Sequence, residues 1–145
     1  MLHLEFNSES ENEGIARIVT SAYIMRFDPD MEEMEDVKTA VSEAVTNAII
    51  HGYDGMTGKE QNQVYIHCLL NRDVLQVEVI DEGKGIEDVE KAMEPMYTTK
   101  PDMDRSGMGF AFMEAFMDEL AVESGEGKGT LVRMKKTIYS AYDGR

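Results

Sequence analysis

Glu43 and Asn47 stand four residues apart in a run, residues 39–50, that is otherwise nearly all apolar or small. On a helix, positions i and i+4 share a face. A carboxylate and an amide would therefore leave a helix fit for burial side by side. A carboxylate is costly to bury unless something pairs with it. A metal ion, a nucleotide or a polarised water would supply that pairing; a partly solvated helix face would not need one.

Further chemistry-bearing motifs follow in order. Asp81-Glu82-Gly83-Lys84-Gly85-Ile86 stands at the end of an apolar strand pattern. A buried aspartate there can accept a hydrogen bond from an amino group such as adenine N6. Gly83 and Gly85 let the backbone approach a flat base, although the same residues also make an ordinary tight turn. Thr98, Thr99, Lys100 and Pro101 come next, then Arg105-Ser106-Gly107-Met108-Gly109-Phe110 at a helix entry. Free N–H groups and the helix dipole at such an entry favour phosphate oxygens; Ser106 also suits a plain N-cap. Gly127-Lys128-Gly129-Thr130 precedes the last strand and reads locally as a β-turn. It is not a Walker A loop, whose spacing it lacks.

An acidic-amide helix, Asp-x-Gly-x-Gly, Gly-x-Gly and Gly-Thr, in that order, resemble the ATP-binding fold shared by gyrase, histidine kinases and a heat-shock chaperone. The wording from Val41 through Gly52, and from Thr98 through Phe110, is similar to the anti-sigma F family, small serine kinases of endospore-forming bacteria. The resemblance runs from about Leu4 to about Lys136. It implies that Asp81 meets adenine and that residues 96–105 form a lid over the triphosphate, with Lys100 or Arg105 stabilising charge on the γ-phosphate. Either cation also suits a solvated surface. Gly129 and Thr130 are implied beside the lid and the adenine pocket. Glu43 is implied to polarise the attacking hydroxyl, since a general base must lie within hydrogen-bond reach of its proton. Asn47 is implied to hold Mg²⁺, which accepts few protein ligands. The resemblance also implies that the first helix helps form a homodimer and that Arg17 meets a sigma factor; a surface arginine with a packed stem reads equally well.

At 145 residues and 42% apolar content the chain suits one domain. We expect one ATP-binding kinase domain over residues 1–138 and a flexible tail over 139–145. A net charge of -15 argues against nucleic acid and against an anionic membrane. Phosphates would then need local positive charge, from Lys100, Arg105, Lys128 or Mg²⁺. The single cysteine, Cys68, lies in a strand pattern, which predicts a core thiol and a cytoplasmic setting. The start lacks the basic-then-apolar pattern of a signal peptide, and no apolar run approaches the ~20 residues of a membrane span. His51 reads as structural, and His3 and His67 fall in strand patterns without metal-site spacing.

These groups must be positioned by a sheet and its helices. Hydrophobic periodicity predicts strands at 2–6, 64–70, 74–80, 121–124 and 130–138. It predicts helices to Phe27 (on Ile15, Ile18, Ala22 and Met25), at 31–50, at 86–93 and at 108–120 with Phe110, Met113, Phe116 and Leu120 inward. Hairpin connections predominate, which predicts an α+β two-layer sandwich. The resemblance implies a mixed, mostly antiparallel sheet with three larger helices on one face and ATP between the layers.

The expected function is an anti-sigma factor and serine kinase. It would bind and inhibit a sporulation sigma factor and phosphorylate a serine of an anti-anti-sigma factor, using MgATP. A general stress-response kinase of the same family is the alternative. A non-catalytic module that sequesters its partner is another, disfavoured because a mere adenine pocket has no use for Glu43. A histidine-kinase catalytic domain would come with a dimerisation helix pair bearing its phosphoaccepting histidine, and a gyrase-like ATPase with a transducer domain; neither is seen in the sequence.

Overall fold

The computed structural model describes residues 1–54, 62–94 and 109–139. The elements run β1 (Leu2–Asn7), α1 (Ser10–Met25), α2 (Met31–Asn47), a π-helical turn (Ala48–Gly52), β2 (Gln63–Asn71), β3 (Val74–Asp81), α3 (Val89–Ala92), α4 (Gly109–Phe116), β4 (Glu119–Ser124) and β5 (Thr130–Thr137). The five strands form one sheet in the order β1-β2-β3-β5-β4. The α+β sandwich is the one expected. Its sheet, expected to be mixed, is antiparallel in every ladder among the described residues. β3 and β4 do run parallel, but β5 inserts between them, so they never pair.

Strict alternation along the strands makes one face of the sheet apolar. Val64, Ile66 and Cys68 of β2, Leu75, Val77 and Val79 of β3, and Val132 and Met134 of β5 are all buried. Cys68 is the core thiol expected, and burial pushes its pKa up to about 11. The opposite face carries a polar row, in which His3 pairs with His67, His67 with Glu78, and Glu78 with Arg133. Arg133 Nη2 lies 2.9 Å from the Glu78 carboxylate.

α2 fills the centre of the helical layer. Val37, Ala40, Val41, Ala44 and Val45 are buried at helical spacing. Its start is fixed by a reciprocal cap: the Glu33 N–H donates to Asp30 Oδ1 (2.7 Å), and the Asp30 N–H donates to Glu33 Oε1 (2.9 Å). The other Glu33 oxygen accepts the Tyr139 N–H at 2.9 Å, tying the end of the described chain to α2.

Three expectations shift. α1 buries Ala16, Thr20, Tyr23 and Ile24 and ends at Met25. The periodic residues Ile15, Ile18 and Met25 lie instead on its outer face, more than half exposed. α3 is shorter than 86–93 because the Ile86 N–H is held by Ser124 Oγ at 2.7 Å, outside any helix. α4 stops at Phe116, whose carbonyl accepts from Lys136 Nζ at 2.8 Å. The Asp118 N–H then donates to the Lys135 carbonyl and draws the chain into β4, so Leu120 packs on the core from a strand. The expected lid at 96–105, the start of the last helix and the tail beyond 139 lie outside the described residues.

Because Glu33 serves two N–H groups from a buried position, Glu33→Ala should cost about 1–2 kcal/mol in urea unfolding. Glu35 meets Lys38 on the surface, and Glu35→Ala should cost less than about 0.5 kcal/mol. Equal losses would contradict this reading of the cap.

Candidate functional site

The inward positions of β3 read Leu75, Val77, Val79 and then Asp81. The alternation that builds the core therefore places a carboxylate in its last inward position, only 6% exposed. Asp81 Oδ1 accepts the Gly83 N–H at 2.9 Å, and the Thr130 main chain stands opposite in the β3–β5 ladder. Burial pushes its pKa up to about 6 from an ordinary 3.8, more than the neighbouring Gly83 and Thr130 main chain pulls it down.

The backbone around Asp81 is packed without intervening side chains. A Cβ on Gly52 would fall 2.8 Å from the Asp81 carboxyl carbon, and one on Gly83 would fall 2.0 Å from the Gly52 carbonyl oxygen. Gly129, at φ +74°, presses against the Asp81 carbonyl, where a Cβ would sit 2.2 Å away. The Lys84 N–H donates to the Gly52 carbonyl at 2.9 Å. Three segments thus meet: the π-helical turn, the loop after β3, and the β4–β5 turn.

The π-helical turn widens the end of α2. It brings Ala48, His51 and Gly52 to a cavity of about 580 Å³ between the helical layer and the sheet. Val79 and Val132 give the cavity apolar walls; Asn47, Asp81, Lys84 and Thr130 give it polar groups. That size and lining suit a small organic ligand. α4 meets the cavity edge at Gly109, where a Cβ would lie 2.9 Å from the Asn47 side-chain nitrogen.

Of the residues expected to form a site, Asn47, Asp81, Gly85, Gly109 and Thr130 line this cavity. Gly83 and Gly129 stand behind it as packing surfaces. Glu43 and Arg17 line a neighbouring groove between α1 and α2, together with Ile18, Ser21, Lys38 and Thr39. Glu43 and Asn47 are one helical turn apart, so groove and cavity adjoin along α2. Thr98, Thr99, Lys100, Arg105, Ser106, Gly107 and Met108 lie outside the described residues. No cluster of metal-ligating side chains occurs among the described residues.

Sequence reasoning missed two hydroxyls. Tyr53, buried, donates from its hydroxyl to the Gln63 carbonyl (2.6 Å) and accepts the Glu82 N–H (2.7 Å). Ser124 Oγ accepts the Ile86 N–H and lies 2.8 Å from Thr130 Oγ1 and 2.9 Å from the Gly129 carbonyl oxygen. Tyr53 follows directly on His51-Gly52 in sequence, but both of its partners are main-chain atoms, which leave no residue signal.

The raised pKa of Asp81 predicts a pH effect on the unliganded protein. Between about pH 4 and 6 the folded chain holds a proton that the unfolded chain releases. Stability should therefore rise as pH falls through that window, by up to roughly 3 kcal/mol from this group. Subtracting the urea-unfolding curve of Asp81→Asn, point by point in pH, should isolate this rise. A flat difference would contradict it.

Residues 6–136 match the family described as Histidine kinase-like ATPase domain. An anti-sigma F factor from Thermoanaerobacter is 54% identical over 140 residues, covering 97% of this chain and 95% of the relative. One from Clostridium botulinum is 54% identical over 135 residues, covering 93% and 92%. Among solved structures, the RsbU and RsbW domains of a Mycobacterium tuberculosis protein superpose with a TM-score of 0.65 at 21% identity, covering 94% of this chain and 31% of that one. The catalytic domain of the histidine kinase ThkA superposes at 0.54 and 18% identity, covering 95% and 97%. These two likenesses support the fold, and an ATPase domain of this kind is a nucleotide-binding domain. No described helix is long and apolar enough to cross a membrane. The chain belongs to the histidine kinase-like ATPase family and, within it, to the anti-sigma F factors.

Proposed function

We propose that this anti-sigma factor is also a serine kinase. It would hold a sporulation sigma factor inactive and transfer the γ-phosphoryl group of MgATP to a serine of an anti-anti-sigma factor. The observation that carries the reading is the buried Asp81 carboxylate at the end of an apolar cavity. Such an acceptor is suited to the 6-amino group of adenine. It supports ATP or ADP as the ligand.

In this reading Asp81 holds the base, and Gly83 and Gly85 keep side chains out of its way. Thr130 and Gly129 complete the wall beside Asp81. The N-terminal part of α4, which reaches the cavity at Gly109, would face the phosphates with the positive end of its dipole. Thr98, Thr99, Lys100 and Arg105 would belong to the lid, Lys100 and Arg105 giving its positive charge, and Ser106, Gly107 and Met108 would lead into the helix that faces the phosphates. The Asn47 side-chain oxygen, at the cavity edge beside Gly109, is a donor that fits Mg²⁺. Bound Mg²⁺ would neutralise phosphate charge. Glu43 accepts the proton of the attacking serine hydroxyl. The serine oxygen forms its bond to the γ-phosphorus, the bond to the β,γ-bridging oxygen breaks, and ADP leaves.

The groove that holds Glu43 also holds Arg17, so the protein substrate would approach along α1 and α2. The exposed Ile15, Ile18 and Met25 on α1 give that side of the molecule an apolar surface for a protein, either a second copy in a homodimer or the sigma factor. A cytoplasmic location fits all of these partners.

One observation favours a second reading, a non-catalytic module that uses nucleotide only to set which partner is held: Glu43 lines the groove rather than the cavity. Glu43→Gln separates the two. Phosphotransfer to a purified anti-anti-sigma factor, followed with radiolabelled ATP, should fall ~10²–10⁴-fold, with ATP affinity within about threefold of native. Equal transfer rates would remove Glu43 from the chemistry. No transfer by the native protein would favour the sequestering module.

A further inference from the structure

We propose that Tyr53 is a positioning residue that sets recognition of the purine 6-position, by wedging its hydroxyl between β2 and the chain just past Asp81. The inference rests on the nucleotide reading above and deepens it.

The β2–β3 ladder pairs Val64 with Asp81 and stops there. The next pair in the same register would be Gln63 with Glu82. Between those two backbones the Tyr53 hydroxyl is inserted: it donates to the Gln63 carbonyl at 2.6 Å and accepts the Glu82 N–H at 2.7 Å. The phenol thus takes the place of a ladder bond and holds the strands apart one residue beyond Asp81. Its ring is anchored for this task, being only 7% exposed, and its N–H closes the π-helical turn onto the Ala48 carbonyl.

The wedge has a consequence at the carboxylate. Once Glu82 leaves the ladder, the chain turns so that the Gly83 N–H points back to Asp81 Oδ1 and Gly83 lies against the Gly52 carbonyl. That bond occupies one oxygen of Asp81 and orients the other. A carboxylate so fixed presents an acceptor in one direction, which is what discrimination of an amino group requires. Tyr65 also reaches Glu82, but through the side chain, with its hydroxyl 2.7 Å from Oε1 on the other face of the sheet. It therefore serves as a control that touches the same residue without touching its N–H.

Tyr53→Phe keeps the ring and removes the wedge. The probes are ATP and purine riboside 5′-triphosphate, which lacks the 6-amino group, each titrated with Mg²⁺ into the full chain. The native protein should prefer ATP. Tyr53→Phe should weaken ATP about tenfold and the analogue less than about twofold, so that the preference collapses. Tyr65→Phe should preserve it. Without any nucleotide, the Glu82 amide should exchange with solvent faster in Tyr53→Phe than in the native chain, as read by NMR. A preference retained in Tyr53→Phe, or an equal weakening of both nucleotides, would overturn the positioning role. A native chain that binds neither nucleotide would overturn the nucleotide reading itself, and this inference with it.

Discussion

A carboxylate in the last inward position of a core strand is the constraint around which this molecule is arranged. Asp81 continues the row that Leu75, Val77 and Val79 begin, so it points where the fold requires an apolar side chain. Leaving it there unpaired would be costly. The fold answers in part, with the Gly83 N–H on Oδ1, while burial still pushes the carboxyl pKa up. A ligand carrying a donor group completes the answer. The apolar row that stabilises the sheet and the polar group that defines the cavity are thus consecutive terms of one alternation.

The same constraint explains the glycines and the π-helical turn. Donors can reach Asp81 only if main chain comes close, and side chains on Gly52, Gly83 or Gly129 would prevent that. The π-helical turn swings the end of α2 across the cavity, so that one helix contributes Asn47 and Ala48 to the cavity and Glu43 to the groove outside it. α2 is therefore the element through which a nucleotide site and a protein-binding surface can influence one another. In the proposed function, where bound nucleotide sets which partner is held, that shared helix is a direct physical route.

The sandwich, its five strands and the inward Asp81 were legible in the sequence because they rest on periodicity and on turn residues. The period-2 runs of β2 and β3 are unambiguous, and Asp28-Pro29-Asp30 marks the start of α2. What escaped was set by contacts distant in the chain. The spacing of Ile15, Ile18 and Met25 marked the helix but not its direction, and they lie on its outer face. Ala16, Thr20, Tyr23 and Ile24 make the actual contact, a face that includes a small and a polar residue. The early end of α4 depends on Lys136 and the Lys135 carbonyl, in a strand not yet reached. Tyr53 acts on main-chain atoms alone, and Ser124 on two of them besides the Thr130 hydroxyl, so residue types scarcely announce them. Of the candidate site, the inward Asp81 and its flanking glycines were readable, whereas the separation of Glu43 from the cavity depends on how α1 packs beside α2.

The central claim is that the cavity at Asp81 binds the adenine of ATP. Equilibrium binding of ATP, with and without Mg²⁺, to the native chain and to Asp81→Asn tests it most directly. Binding that depends on Mg²⁺ and is lost in Asp81→Asn, while the variant still unfolds cooperatively in urea, is the predicted result. Equal binding by the two proteins would contradict the claim and place the base elsewhere.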